Sequence, residues 1–195
     1  MKKTVFDVKS IYPFKEARMR GYGVITAAFM LILFSASVSK GGDTMAFKIS
    51  SPDFKEGDTI PKRFTCEGED VSPEMHWEGA PSGTKSFSLI VEDPDAPVGT
   101  FTHWVLYDIP GNLGRLEQGA GRGEGMKNGI TDFGRASYGG PCPPKGHGTH
   151  RYFFILRALD VETLGAPQGA RKPEVEKRMK GHILGETRLM GVYRR

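Results

Sequence analysis

From Lys85 to Glu92, Phe87, Leu89 and Val91 fall on one side of an extended chain, with Ser86, Ser88, Ile90 and Glu92 on the other. A period of two sends successive side chains to opposite faces, so this stretch is predicted to be a strand. Phe101 to Ile109 behaves likewise, Trp104 and Leu106 alternating with His103, Val105 and Tyr107 until Pro110-Gly111-Asn112 ends the run. Arg151 to Leu159 is apolar on both faces (Tyr152, Phe154, Leu156 against Phe153, Ile155), as a central strand covered from both sides must be. Shorter strands are predicted at Thr59–Thr65, placed at an edge because Pro61 cannot donate to a ladder, and at Glu74–Trp77. Leu113 to Ile130 is glycine-dense with scattered charge and reads as an irregular surface excursion.

Near the C-terminus the period changes. Val175, Met179, His182 and Ile183 recur at i, i+4, i+7 and i+8, and Pro173, Glu174 and Glu176 suit the first turn of a helix. The sum is a mostly β chain: an antiparallel β-sandwich over residues 45–195, with one late helix packed on the sheet. The 26 glycines and 13 prolines fit many turns and short strands better than a helical bundle.

Residues 1–44 form a separate leader. Val24 to Phe34 is uncharged and largely apolar, basic residues precede it, and small residues follow it, which is the layout of a secretory signal peptide. The uncharged span 21–39 also matches a short membrane anchor, and export or anchoring is the favoured expectation. The opposing reading starts the protein at Met45 and leaves the domain in the cytoplasm. The leader also explains the net charge of +4. Of 27 basic and 23 acidic residues it holds 7 and 3, leaving 20 of each in residues 45–195. A balanced domain lacks the cationic excess that drives binding to nucleic acid, so no nucleic-acid partner is expected.

Two polar clusters stand at strand ends. Gly139 to Tyr152 alternates glycine and proline, a shaped loop that delivers His150 at the mouth of the 151–159 strand. Asp93-Pro94-Asp95-Ala96-Pro97 follows the 85–92 strand, and its two carboxylates, spaced i and i+2, are predicted to face one side. His103 opens the next strand. If these strands are neighbours, Asp93, Asp95, His103 and His150 converge.

These segments resemble a known family. Cys66-Glu-Gly-Glu-Asp-Val-Ser-Pro73, Asp93-Pro-Asp-Ala-Pro97, His103-Trp104 and Gly140-Pro-Cys-Pro-Pro144 with His150-Arg-Tyr152 are similar to the motifs of phosphatidylethanolamine-binding proteins, above all their bacterial Raf-kinase-inhibitor-like branch. The resemblance runs from about Met45 to the C-terminus. It implies a β-sandwich with a small pocket for phosphate-type anions or phosphorylated headgroups, lined by Asp93, Asp95, His103, Gly140, Pro143, His150 and Tyr152. Pro97 would shape the pocket. The family name also implies a kinase or peptidase as protein partner. No cofactor, metal or catalytic residue is expected.

Two carboxylates do not attract an anion, so attraction would come from backbone N–H groups of the glycine loop and from imidazolium donors that the aspartates keep charged. Lys145 and His147 are assigned to the rim. Two enzymatic alternatives compete: a metal-dependent hydrolase on the Asp/Asp/His/His set, and a Cys-dependent one using Cys142 near His147 and His150. Cys66 and Cys142 both border the pocket loops. An oxidising compartment would allow a disulfide between them, and the cytosol would leave two free thiols.

Overall fold

The computed structural model describes residues 45–121 and 125–195; the leader and its apolar span 21–39 lie outside the described residues. Eight strands follow in chain order: β1 (Lys48–Ser50), β2 (Met75–Glu78), β3 (Ser86–Asp93), β4 (Phe101–Pro110), β5 (Arg115–Leu116), β6 (Lys127–Asn128), β7 (His150–Leu159) and β8 (Ile183–Tyr193), with helix α1 (Lys172–Met179) before the last. They pair as a three-stranded sheet, β1-β2-β5, and a five-stranded one, β6-β4-β3-β7-β8, with every strand pair antiparallel.

The alternation expected along β3 holds. Phe87, Leu89 and Val91 point inward and meet Trp104, Leu106, Tyr152, Phe154, Leu156 and Leu189 of the same sheet, and Ile49, Met75 and Trp77 of the other, in one buried cluster. Ile90 points the opposite way and joins Val105, Tyr107 and Leu159 under Val175 and Met179 of α1, a second cluster. β3 is therefore covered on both faces, but β7, expected to be, is not: Phe153 and Ile155 on its outer face are only half-buried, with the Arg151 and Arg188 guanidinium groups over the Phe153 ring. Two irregularities shift the phase of β4 against β3, one between Val91 and Glu92, opposite His103, and one between Phe87 and Leu89. Leu106 pairs with Leu89 but Ile109 with Phe87, so β4 carries an extra residue there, and Asp108 takes a left-handed φ of 56°. This is a β-bulge, and it returns Ile109 to the inner cluster.

Three further expectations are corrected. Thr59–Thr65 is not a strand: Thr59 makes a single bridge to Val192, and Lys62–Phe64 is one turn of 3-10 helix closed by the Phe64 N–H on the Pro61 carbonyl. The 113–130 excursion is irregular but contains the two-residue strands β5 and β6. The helix ends at Met179, so His182 and Ile183 lie beyond it, and Ile183 begins β8, an eleven-residue strand that includes Gly185 and Gly191. Its apolar pattern is too broken to show period two, and it forms because β7 offers it a full ladder from His150 to Leu159.

Among the described residues no helix is long and apolar enough to cross a membrane.

Candidate functional site

The antiparallel order places the end of β3 beside the starts of β4 and β7. Asp93 is the last residue of β3, His103 the third of β4, and His150 the first of β7. All three are buried, and they line a pocket of about 240 Å³ whose other walls are Ala96, Pro97, Val98, Phe101, Phe133 and the Cys142-Pro143-Pro144 segment. Its floor is polar and its walls are largely apolar.

Asp93 is fully engaged. One carboxylate oxygen accepts His150 Nδ1–H at 2.7 Å, and the other accepts the Asp95 N–H at 2.8 Å, tying the 93–95 turn to itself. His150 is only 1% exposed, and its remaining nitrogen, Nε2, is 2.8 Å from Nδ1 of His147. His103 donates from Nδ1 to the Gly139 carbonyl at 2.8 Å, with the rings of Phe101, Phe133 and Tyr152 packed around it at 5.1–5.2 Å. Burial pushes the His103 pKa down from 6.5, and the carbonyl and the Asp93 charge do not reverse this. His103 is thus a neutral ring with Nε2 bare, not an imidazolium held by the aspartates.

Tyr152, also expected to contact the ligand, is absent from the pocket wall; it is wholly buried and packs edge-to-face against His103. Its hydroxyl finds no hydrogen-bond partner among the described residues, and burial, then the nearby Asp93 charge, pushes its pKa far up, so it remains a phenol.

Two more of the expected contact residues face elsewhere. Asp95 does not share a face with Asp93; it turns outward and takes three hydrogen bonds from Arg151, from N and Nε at 2.9 Å and from Nη2 at 2.7 Å. Those bonds hold its pKa down at about 2. The turn, and not a continuing strand, sets its direction: β3 stops at Asp93, so the i, i+2 rule no longer applies. Gly140 is absent from the pocket wall. Its N–H is spent on Asp70 Oδ1 at 2.6 Å, and a Cβ there would fall 2.1 Å from the Phe64 carbonyl oxygen. It is a glycine of close packing, not an anion cradle. Pro143 does line the pocket, with its carbonyl held by Arg195 Nε at 2.7 Å.

Cys66 and Cys142 are joined in a disulfide across a Cα separation of 5.4 Å, which ties the pocket loop to the 62–66 turn. The Cys-dependent hydrolase alternative therefore loses its nucleophile, since the Cys142 sulfur is already bonded. Among the described residues no three His, Cys, Asp or Glu side chains converge as a metal would require.

Several participants escaped sequence reading. Phe133 belongs to the stretch between strands, yet it packs edge-to-face on His103 and carries the Arg135 guanidinium over its ring at 5.3 Å. Asp70 pins both Gly140 and Arg135, the latter at 2.7 Å. His147, exposed as a rim residue is, also contacts His150 directly. Its position three residues before His150 was the available signal.

A two-sheet β-sandwich with a histidine–aspartate pocket at the strand ends defines the class of the phosphatidylethanolamine-binding fold. The chain belongs to that family: the phosphatidylethanolamine-binding protein model matches residues 50–194. Its bacterial branch is represented by the UPF0098 protein of Aquifex aeolicus, 53% identical over 166 residues, covering 84% of this chain and 94% of that protein. YbcL of Escherichia coli is 34% identical over 182 residues, covering 87% and 96%. The crystal structure of YbcL superposes with a TM-score of 0.73 over 76% of this chain and 98% of that one, at 33% identity. A homologue from Chlamydia trachomatis gives 0.71 over 77% and 98%, at 35% identity.

Proposed function

We propose that this protein binds a phosphate-type anion, including phosphorylated headgroups, in the His103–His150 pocket, and that it acts by binding and not by catalysis. One observation carries the reading. Both buried histidines line the pocket and both are anchored to the protein through Nδ1, so protonation adds an N–H at Nε2 of each. An anion supplies the reason to protonate, and each ring that takes a proton adds a donor and a positive charge.

The size limits the ligand. About 240 Å³ is below the roughly 300–1,000 Å³ typical of small-molecule sites, so the pocket suits a headgroup and not a whole lipid. The apolar collar of Pro97, Val98, Phe101 and Phe133 would meet the carbon part of that headgroup or the chain beyond it.

Calorimetry with inorganic phosphate, phosphoethanolamine and ethanolamine, at pH 5.5 and pH 8, tests the proposal. Both phosphates should bind more tightly at pH 5.5, because binding takes up protons on His103 and His150, and ethanolamine should not bind. Equal affinity at the two pH values, after correction for ligand ionisation, removes the imidazolium account.

The disulfide supports an oxidising compartment, and so export of the domain. The mass of the mature protein from its host tests that directly.

A further inference from the structure

We propose that His147 is a built-in cap on the pocket: it occupies Nε2 of His150 when the pocket is empty and swings away on its flanking glycines to let an anion take that nitrogen. The inference rests on the anion reading above and adds how access to the site is controlled.

The contact itself comes first. His150 has two ring nitrogens, and Asp93 holds Nδ1 at 2.7 Å, so Nε2 is the single position left for a ligand. His147 Nδ1 already lies 2.8 Å from it, with the two rings edge to face at 5.0 Å. A ligand cannot bond His150 without displacing His147.

Proton positions make the cap a true competitor. With both rings neutral, the Nδ1–H of His150 points at the Asp93 carboxylate, which leaves Nε2 as an acceptor. His147 must then donate from its own Nδ1–H. An accepting phosphate oxygen needs the opposite polarity, an N–H on His150 Nε2, so cap and charged ligand oxygen select different states of the same ring.

The third element is the hinge. His147 is exposed although its partner is buried, and it stands between Gly146 at φ +78° and Gly148 at φ +101°. A Cβ added at either glycine would meet nothing within 4 Å, so the backbone on both sides is free of packing. Gly-His-Gly is therefore a side chain on a two-glycine swivel. The loop is held at its base, by the His147 N–H on the Pro144 carbonyl and the Gly146 N–H on the Arg195 carbonyl, so the ring can leave without unravelling the Pro143 wall.

The test uses the intact protein and inorganic phosphate at pH 7, in wild type, His147→Ala, His147→Asn and His150→Ala. Removing the cap should tighten phosphate binding about two- to tenfold, the worth of one lost competing hydrogen bond. Asn, whose amide N–H can stand where Nδ1–H stood, should restore near-wild-type affinity, and His150→Ala should abolish binding. Unchanged or weaker binding by His147→Ala overturns the cap. Absence of binding in wild type and both His147 variants instead overturns the anion reading, and the cap then stands or falls on imidazole nitrogen NMR of the free protein. That measurement should find His147 as the Nδ1–H tautomer in the free protein, and an Nε2–H tautomer there overturns the cap by itself.

Discussion

On the β4 wall of the pocket, His103 sits among the rings of Phe101, Phe133 and Tyr152 and has only a backbone carbonyl on Nδ1. On the β3–β7 wall, His150 is as deeply buried, but its Nδ1 meets the Asp93 carboxylate at 2.7 Å. Both histidines open at strand ends and read alike in the sequence. Burial lowers the His103 pKa even against the Asp93 charge, because that carboxylate is in contact with the other ring and not with this one. A carboxylate two residues further on does not help, because Asp95 is committed to Arg151.

The disulfide holds the loop that both walls share, so its removal should have the largest effect. Closing a loop of 76 residues' separation contributes about 4 kcal/mol in the chain-entropy picture, and Cys66→Ser with Cys142→Ser should lose that much in urea denaturation. A loss below 1 kcal/mol would show that the unfolded chain is not constrained by the bridge.

Asp93→Asn attacks one wall only. Breaking a buried pair by removing one partner costs about 3 kcal/mol, and the variant should leave the His103 ring resonances nearly unmoved. A large shift at His103 would mean that the two walls are not independent.

The contrast predicts a pH signature for the other wall. The His103 pKa is lowered below 6.5 in the folded state, so as pH falls past 6.5 the unfolded chain takes up a proton that the folded one refuses. Stability of the free protein should therefore fall with pH in that window, with a slope of at most about 1.4 kcal/mol per pH unit for this one group. His103→Gln should flatten that part of the curve, and an unaltered slope would assign it to another residue.

The smallest effect belongs to Asp95→Asn, about 0.5 kcal/mol at pH 7, because its ion pair with Arg151 is solvent-exposed. With its pKa down at about 2, whatever that pair contributes is present above pH 3.8 and fades as pH falls toward 2. A loss as large as that of Asp93→Asn would erase the distinction between the two carboxylates.

Much of this architecture is legible residue by residue. Period two marked β3 and β4, and a two-faced apolar run marked β7, because burial on one side or both leaves its pattern in neighbouring positions. The same locality explains the misses. β8 pairs along all of β7 but carries two glycines and a run of polar residues, so its strand character comes from the ladder it joins. Thr59–Thr65 has the composition of a strand but meets β8 only around Thr59, because the chain turns into 3-10 helix at Lys62.

For the pocket, residue type and spacing were enough to put Asp93, His103 and His150 at strand mouths, prolines in the loops between them, and two cysteines beside them. Tertiary structure decided what each one does. Asp70 claims the N–H of Gly140 from 70 residues away, Arg151 claims Asp95 from 56, and Phe133 closes on His103 from the far side of a loop. Those partners are set by which loops pack together, and no local periodicity records them. Hence a histidine expected to be charged is neutral, and a glycine expected to cradle an anion packs against backbone.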